Sequence, residues 1–156
     1  YDLMLELNRS MGTSFVVESI PSGNSTGVDA DLDWQTPVKG LRLDGGAVYA
    51  QTRYGQFTAS QLNYPQDFAG FYRLPGATTS YAPLWSATFS GDYQTPPGGG
   101  LVGRANLEGK YNSAYNTGSD LAPQKVQQGY TVLNGRLGVG EHGRQFFRGV
   151  HVEMRV

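Results

Sequence analysis

Along this chain apolar and polar residues alternate with a period of two, and the pattern recurs. In Val28-Asp29-Ala30-Asp31-Leu32-Asp33-Trp34 three aspartates interleave with apolar residues. A helix would scatter those carboxylates around its circumference, whereas a strand sets Val28, Ala30, Leu32 and Trp34 on one face. Trp85, Ala87, Phe89, Gly91 and Tyr93 alternate with Ser86, Thr88, Ser90 and Asp92. Leu101, Gly103, Ala105, Leu107, Gly109 and Tyr111 alternate with Val102, Arg104, Asn106, Glu108 and Lys110, and Val150, Val152, Met154 and Val156 with His151, Glu153 and Arg155. Weaker alternation predicts strands near 2–8, 14–20, 41–53 and 130–139, the third with Leu41, Leu43, Gly45, Ala47 and Tyr49 on one face. The prediction is therefore all-β, with about eight antiparallel strands.

Strand length separates the kinds of β-protein. Strands of soluble proteins run about five or six residues, and strands that cross a membrane about nine to eleven. Several segments here reach ten. The connections also alternate in length. Residues 35–40, 95–100 and 140–144 form short turns, rich in Pro and Gly in the first two, while 54–82 and 112–129 are long and polar. Outer-membrane barrels have short periplasmic turns and long extracellular loops. The aromatic residues follow the same division: Trp34 and Tyr93 lie just before short turns, and Tyr49, Trp85 and Tyr111 beside long loops. From Trp85 to Tyr93 a strand covers about 27 Å, and about 20 Å of height once tilted, close to the apolar band of about 25 Å in such barrels. These five aromatics are predicted to form two interfacial girdles.

Composition changes this picture little. Hydrophobic residues make up 38% of the 156 residues, and the mean hydropathy is −0.41. No run approaches the length of a helical span, but a barrel strand needs only every second residue to be apolar. The net charge of −1, without a basic run, gives no reason to expect nucleic acid. The absence of cysteine removes disulfides and thiolate chemistry, and 22 glycines with ten tyrosines suit a β-barrel.

Several segments resemble the late barrel strands of TonB-dependent outer-membrane receptors. Ser25-Thr26-Gly27-Val28-Asp29-Ala30-Asp31 is similar to that family's S-x-G-V-E-x-E strand start, followed by the turn Pro37-Val38-Lys39-Gly40 and the strand Leu41–Tyr49. Leu74-Pro75-Gly76 with Ala82-Pro83-Leu84-Trp85-Ser86-Ala87 looks like a surface loop entering the next strand. Tyr130–Gly138 resembles the family's Y-x-L-x-N-A-R-L-G strand, and Phe147–Val156 its terminal strand, although Val156 stands where the family has an aromatic residue. The resemblance implies that residues 1–156 are a C-terminal segment of a 22-stranded transmembrane barrel, with plug, TonB box and earlier strands outside the chain. It implies a bacterial outer-membrane location and energy-coupled uptake of a bulky ligand such as a siderophore, glycan or cofactor. The implied partners are outer-membrane lipid, the rest of the barrel and its plug, the TonB complex, and a surface or periplasmic protein. Strand parity would send 145–156 upward, whereas the family's last strand descends; a strand missing near Gly140–Gln145 would reconcile the two. The alternatives are a self-contained eight-stranded outer-membrane barrel with a structural or adhesive role and a soluble ligand-binding barrel.

No residue pattern predicts catalysis, a metal or a cofactor. Asp29, Asp31 and Asp33 project about 7 Å apart on a strand, too far to share one ion, and are expected to pair across strands with residues such as Arg42. His142 and His151 form no zinc motif. Gly98-Gly99-Gly100 lacks the Lys-Ser/Thr of a phosphate loop. Arg104, Glu108 and Lys110 read as a charge ladder on one strand face. The candidate ligand-binding segment is 54–82, which holds Tyr54, Phe57, Tyr64, Phe68, Phe71, Tyr72, Arg73 and Tyr81. Loops this long are usually functional or disordered, and aromatics beside an arginine suit capture of a bulky ligand. Tyr64, Phe68, Phe71, Tyr72, Arg73 and Tyr81 are the predicted ligand contacts; packing of one loop on another is the competing use of the same side chains.

Overall fold

The computed structural model describes residues 2–9, 12–61, 71–95, 100–141 and 148–155. The chain is all-β, with no α-helix among the described residues. All eight predicted strands are present: β1 (Asp2–Arg9), β2 (Gly12–Ser19), β3 (Gly23–Gln35), β4 (Leu41–Tyr54), β5 (Trp85–Gln94), β6 (Leu101–Asn112), β9 (Tyr130–Glu141) and β10 (Arg148–Arg155). Two further strands of two residues, β7 (Tyr115–Asn116) and β8 (Val126–Gln127), lie inside the segment expected to be loop. β3 to β6 and β9 run 10 to 14 residues, as the alternation requires.

The chain forms two compact units. One comprises Tyr1–Gly27, Ala50–Leu84 and Ala114–Gln128, and the other Val28–Tyr49, Trp85–Ser113 and Gly129–Val156. In the second unit an antiparallel meander runs in the order β10-β9-β6-β5-β4-β3. β10 pairs directly with β9, with Arg148 opposite Val139, so no strand separates the two. Of Gly140–Gln145, where a missing strand was expected, Gly140 and Glu141 end β9 and residues 142–145 lie outside the described residues. Among the described residues β1 and β2 pair only with each other.

Register carries the alternation across the whole sheet. Leu41, Leu43, Gly45, Ala47 and Tyr49 stand opposite Tyr93, Gly91, Phe89, Ala87 and Trp85. Tyr93, Gly91, Phe89 and Ala87 in turn stand opposite Ala105, Leu107, Gly109 and Tyr111, and Ala105, Leu107 and Gly109 opposite Leu137, Gly135 and Leu133. One face is therefore apolar on every strand, because a one-residue slip anywhere would exchange the two faces. The ring of Phe89 lies over Gly109, where a Cβ would collide with it. A large side chain thus fills the gap left by its cross-strand glycine neighbour, as aromatic residues do for glycines in β-sheets.

The first turn is closed by its own side chain. Thr36 Oγ1 donates to Leu41 O at 2.9 Å and accepts the Val38 N–H at 3.2 Å. Gly40 adopts φ 84°, left-handed backbone that only glycine takes without strain, and its carbonyl accepts the Gln94 N–H at 2.8 Å. This turn therefore ties β3 and β4 to β5.

Candidate functional site

The apolar face of the six-stranded sheet is left uncovered by the described residues. Val28, Leu32, Trp34, Trp85, Phe89, Tyr93, Leu101, Leu107, Tyr111, Leu137 and Val139 are all exposed, Leu32 to 61% and Leu137 to 65%. Soluble monomers rarely expose contiguous apolar patches beyond a few hundred Å², and this one crosses at least five strands. The five predicted girdle residues all stand on it. Tyr93 faces Leu41 at the short-turn end, and Trp34 closes β3 at that same end. Tyr49 and Trp85 face each other at the opposite end, ring centroids 4.9 Å apart, with Tyr111 opposite Ala87, one row further in. On β4, β5, β6 and β9 the rows between them carry Leu, Ala, Gly and Phe, and the polar Thr131 stands in the aromatic row itself, opposite Tyr111.

The other face is polar, and its groups are paired by the same register. Arg42 donates to Asp33 through Nε at 3.1 Å and Nη2 at 2.6 Å. Of the three β3 aspartates, Asp33 thus makes the expected pairing. Ser90 donates to Asp44 at 2.6 Å, Asn106 to Asp92 at 3.0 Å and Asn112 to Tyr130 at 3.1 Å. The Asp44–Ser90, Asp92–Asn106 and Asn112–Tyr130 pairs are directly opposite in the ladder. Arg104, Glu108 and Lys110 share this face, as expected. Each such exposed pair contributes only a few tenths of a kcal/mol to about 1 kcal/mol. A depression of about 1330 Å³ opens between the first turn and this face, bordered among others by Arg42, Asp92, Arg104, Glu108 and Arg136.

The long loops build a core of their own in the first unit. Ile20, Tyr54, Phe57 and Leu74 bury one another, Leu74 completely, and Leu121 packs against them. Tyr54 and Phe57, counted above with the aromatics of the candidate segment, therefore hold the loops together and do not face solvent. Leu121 adopts the left-handed φ of 51°. Tyr81 N–H donates to Asn116 O at 2.8 Å, tying one loop to the other. Loop-on-loop packing thus uses part of the aromatic content, while other members remain on the surface. Tyr72 is 74% exposed and Tyr81 69%. The Arg73 guanidinium stacks over the Tyr72 ring at 5.2 Å, and Tyr81 pairs with Tyr115 at 6.3 Å. Phe71 opens the short 3-10 turn Phe71–Arg73; Tyr64 and Phe68 lie outside the described residues. Tyr115 was missed from sequence, because a single tyrosine in a polar stretch carries no signal until the loops meet.

The second loop is closed by a small polar network. Asp120 Oδ1 accepts from Lys125 Nζ at 3.1 Å and from the Ala122 N–H at 3.2 Å, and Asn116 Nδ2 donates to Ala122 O at 2.8 Å. Burial pushes the Asp120 carboxyl up, but the Lys125 and Ala122 hydrogen bonds and the Lys125 charge outweigh it and hold the group below its ordinary value. A carboxyl lowered in the folded state stabilises above its unfolded pKa, and that contribution is lost as pH falls through the folded value. Asp120→Asn is expected to cost the loop up to about 1 kcal/mol at neutral pH and to remove this acid sensitivity. Amide hydrogen exchange at Gly118 and Ala122 reads it; unchanged rates in the variant would show the network to be idle.

No family model matches the sequence, and neither a curated protein nor a solved structure shows significant similarity to it.

Proposed function

We propose that this chain is a wall segment of a transmembrane β-barrel in a bacterial outer membrane, belonging to a receptor of the TonB-dependent kind. The observation that carries the reading is the uncovered apolar face of the six-stranded sheet, bordered at both ends by aromatic residues. Lipid is the occupant that suits it: the face offers no hydrogen-bonding side chain in its middle rows, and a hydrocarbon solvent asks for none. The polar face, with its paired charges, would then line the barrel interior. The short turn at 36–40 would face the periplasm and the packed loops of 54–82 and 112–129 the exterior.

Among the described residues β3 and β10 each have a single neighbour in the sheet. A transmembrane sheet cannot leave such edges open in lipid, so further strands must flank them. The larger, 22-stranded barrel that the strand resemblance implies would supply them from strands outside this chain and be filled by a plug; in a self-contained eight-stranded barrel they would have to come from this chain itself. Ligand capture falls to the aromatics that the loop core leaves exposed: Tyr72 with Arg73 stacked on it, and Tyr81. The ligand class is a bulky, partly aromatic or glycan-like solute, and the reading assigns no catalytic step.

In the full-length protein, the combined change Tyr72→Ala, Arg73→Ala, Tyr81→Ala is expected to lower ligand uptake at least about tenfold, the loss of roughly 1–2 kcal/mol of stacking and charge contact. Because Tyr72 and Tyr81 are exposed and Arg73 is partly so, the amount of folded protein should not change. Unaltered uptake would remove the loop from the binding role.

A further inference from the structure

Two described residues other than glycine hold a left-handed backbone, Leu121 at φ 51° and Tyr81 at φ 56°. The Leu121 side chain packs against the loop core, whereas Tyr81 is exposed. Left-handed backbone is unfavourable for any residue with a Cβ, and it persists only where the surroundings hold it. At Tyr81 they hold it from two directions. Thr79 N–H donates to Thr52 O on β4 at 3.0 Å, and Ser80 is hydrogen-bonded to the buried Tyr54. One residue later the attachment changes: Tyr81 N–H donates to Asn116 O on the other loop at 2.8 Å.

Asn116 joins more than this one contact. Its Oδ1 accepts the Gly118 N–H and its Nδ2 donates to Ala122 O, both at 2.8 Å. Its backbone stands opposite Val126 in the β7–β8 ladder. Space around it is tight, since a Cβ on Gly118 would collide with the side chains of Lys125 and Asp120 and press on Asn116 Oδ1. The carbonyl that receives Tyr81 is therefore fixed by its own side chain and by the ladder. The same ladder places the half-buried Tyr115 ring 6.3 Å from the Tyr81 ring, tilted 42° to it. We propose that Asn116 is a positioning residue for ligand capture: it holds Tyr81 in its outward, left-handed conformation before any ligand arrives. Tyr81 and Tyr115 then form one aromatic edge shared by both loops. The proposal rests on the ligand-binding reading of the loops given above. Its physical consequence is preorganisation. A loop ordered only on binding loses its conformational freedom at that step, and affinity falls accordingly.

The test is hydrogen–deuterium exchange of the full-length protein in neutral detergent, without ligand, read at single amides. In the wild type the Tyr81 amide should be protected. Asn116→Ala removes both side-chain hydrogen bonds and should speed exchange at Tyr81 at least about tenfold, while Thr79, which β4 holds, keeps its rate. Thr117→Val is the control. It removes a bond of the same length from the same loop, Thr117 Oγ1 to Lys125 O at 2.8 Å, and should leave the Tyr81 rate within about twofold. If Asn116→Ala does not fold, Asn116→Asp keeps the acceptor for Gly118, loses the donor to Ala122, and should speed Tyr81 about threefold. An unchanged Tyr81 rate in the Asn116 variant, or an equal rise in Thr117→Val, would overturn Asn116 as the positioning residue. Failure of the ligand reading is distinct from this. A protected Tyr81 together with unaltered uptake in the Tyr72, Arg73 and Tyr81 triple variant would refute the role in capture and leave the loop geometry standing.

Discussion

Replacing Leu107 with arginine is expected to destabilise the protein in phospholipid vesicles by about 2–4 kcal/mol, whereas Asn134→Arg should stay within about 0.5 kcal/mol. The two positions sit on adjacent strands, one row apart, and differ only in the face they occupy. Leu107 is exposed on the apolar side between Gly91 and Gly135. Asn134 stands on the polar side opposite Glu108, which would welcome a cation. If hydrocarbon covers the apolar face, a guanidinium at 107 has neither water nor an anion within reach and must distort the bilayer to find them. If water or a polar protein covers it, the same change is a surface substitution with little effect. Urea titration of the reconstituted variants, followed by the shift between folded and unfolded bands on unboiled gels, measures the difference. Equal midpoints for the two variants would contradict the assignment of faces.

A second large effect is expected at the first turn. Gly40→Val should cost at least about 2 kcal/mol, because it places a β-branched residue at left-handed φ and removes a ladder hydrogen bond. At Gly40 the backbone has φ 84°, and a Cβ there would collide with the Gln94 carbonyl. The collision is with backbone, which cannot swing aside as a flexible side chain would. Gly100 is the control. It has φ 78°, yet a Cβ there meets nothing within 4 Å among the described residues, so Gly100→Ala should cost only the conformational strain of about 1 kcal/mol. Chemical denaturation of both variants separates close approach from strain. A Gly100→Ala effect as large as that of Gly40→Val would assign the whole cost to φ.

Strand positions and faces were legible in the sequence because every strand of the large sheet has one apolar side and one polar side. Period-two alternation is the direct imprint of that environment, and Asp33 with Arg42 could be anticipated as a cross-strand pair from it. The aromatic residues near the strand ends were legible for the same reason, since they end the alternating runs. The loops were not. Tyr54, Phe57 and Leu74 pack with Ile20 and Leu121 through contacts between segments far apart in sequence, which leave no periodic trace. Aromatic residues serve equally for a loop core and for a ligand platform, so the sequence could count them in 54–82 but not sort buried Tyr54 from exposed Tyr72. The two-residue strands β7 and β8 escaped notice because such short pairing has no pattern to read. Phe89 over Gly109 depends on register, and register follows from pairing that a single strand does not reveal.

Site-directed spin labelling along β6 tests the central proposal most directly. The chain has no native cysteine, so single cysteines at 101–111 can each carry a nitroxide in the reconstituted protein. Accessibility to oxygen, which concentrates in hydrocarbon, should be high at 103, 105, 107 and 109 and low at 104, 106, 108 and 110. Accessibility to a water-soluble nickel chelate should show the opposite order. Odd positions open to the chelate, or closed to both probes as in a face buried against protein, would contradict a lipid-facing wall.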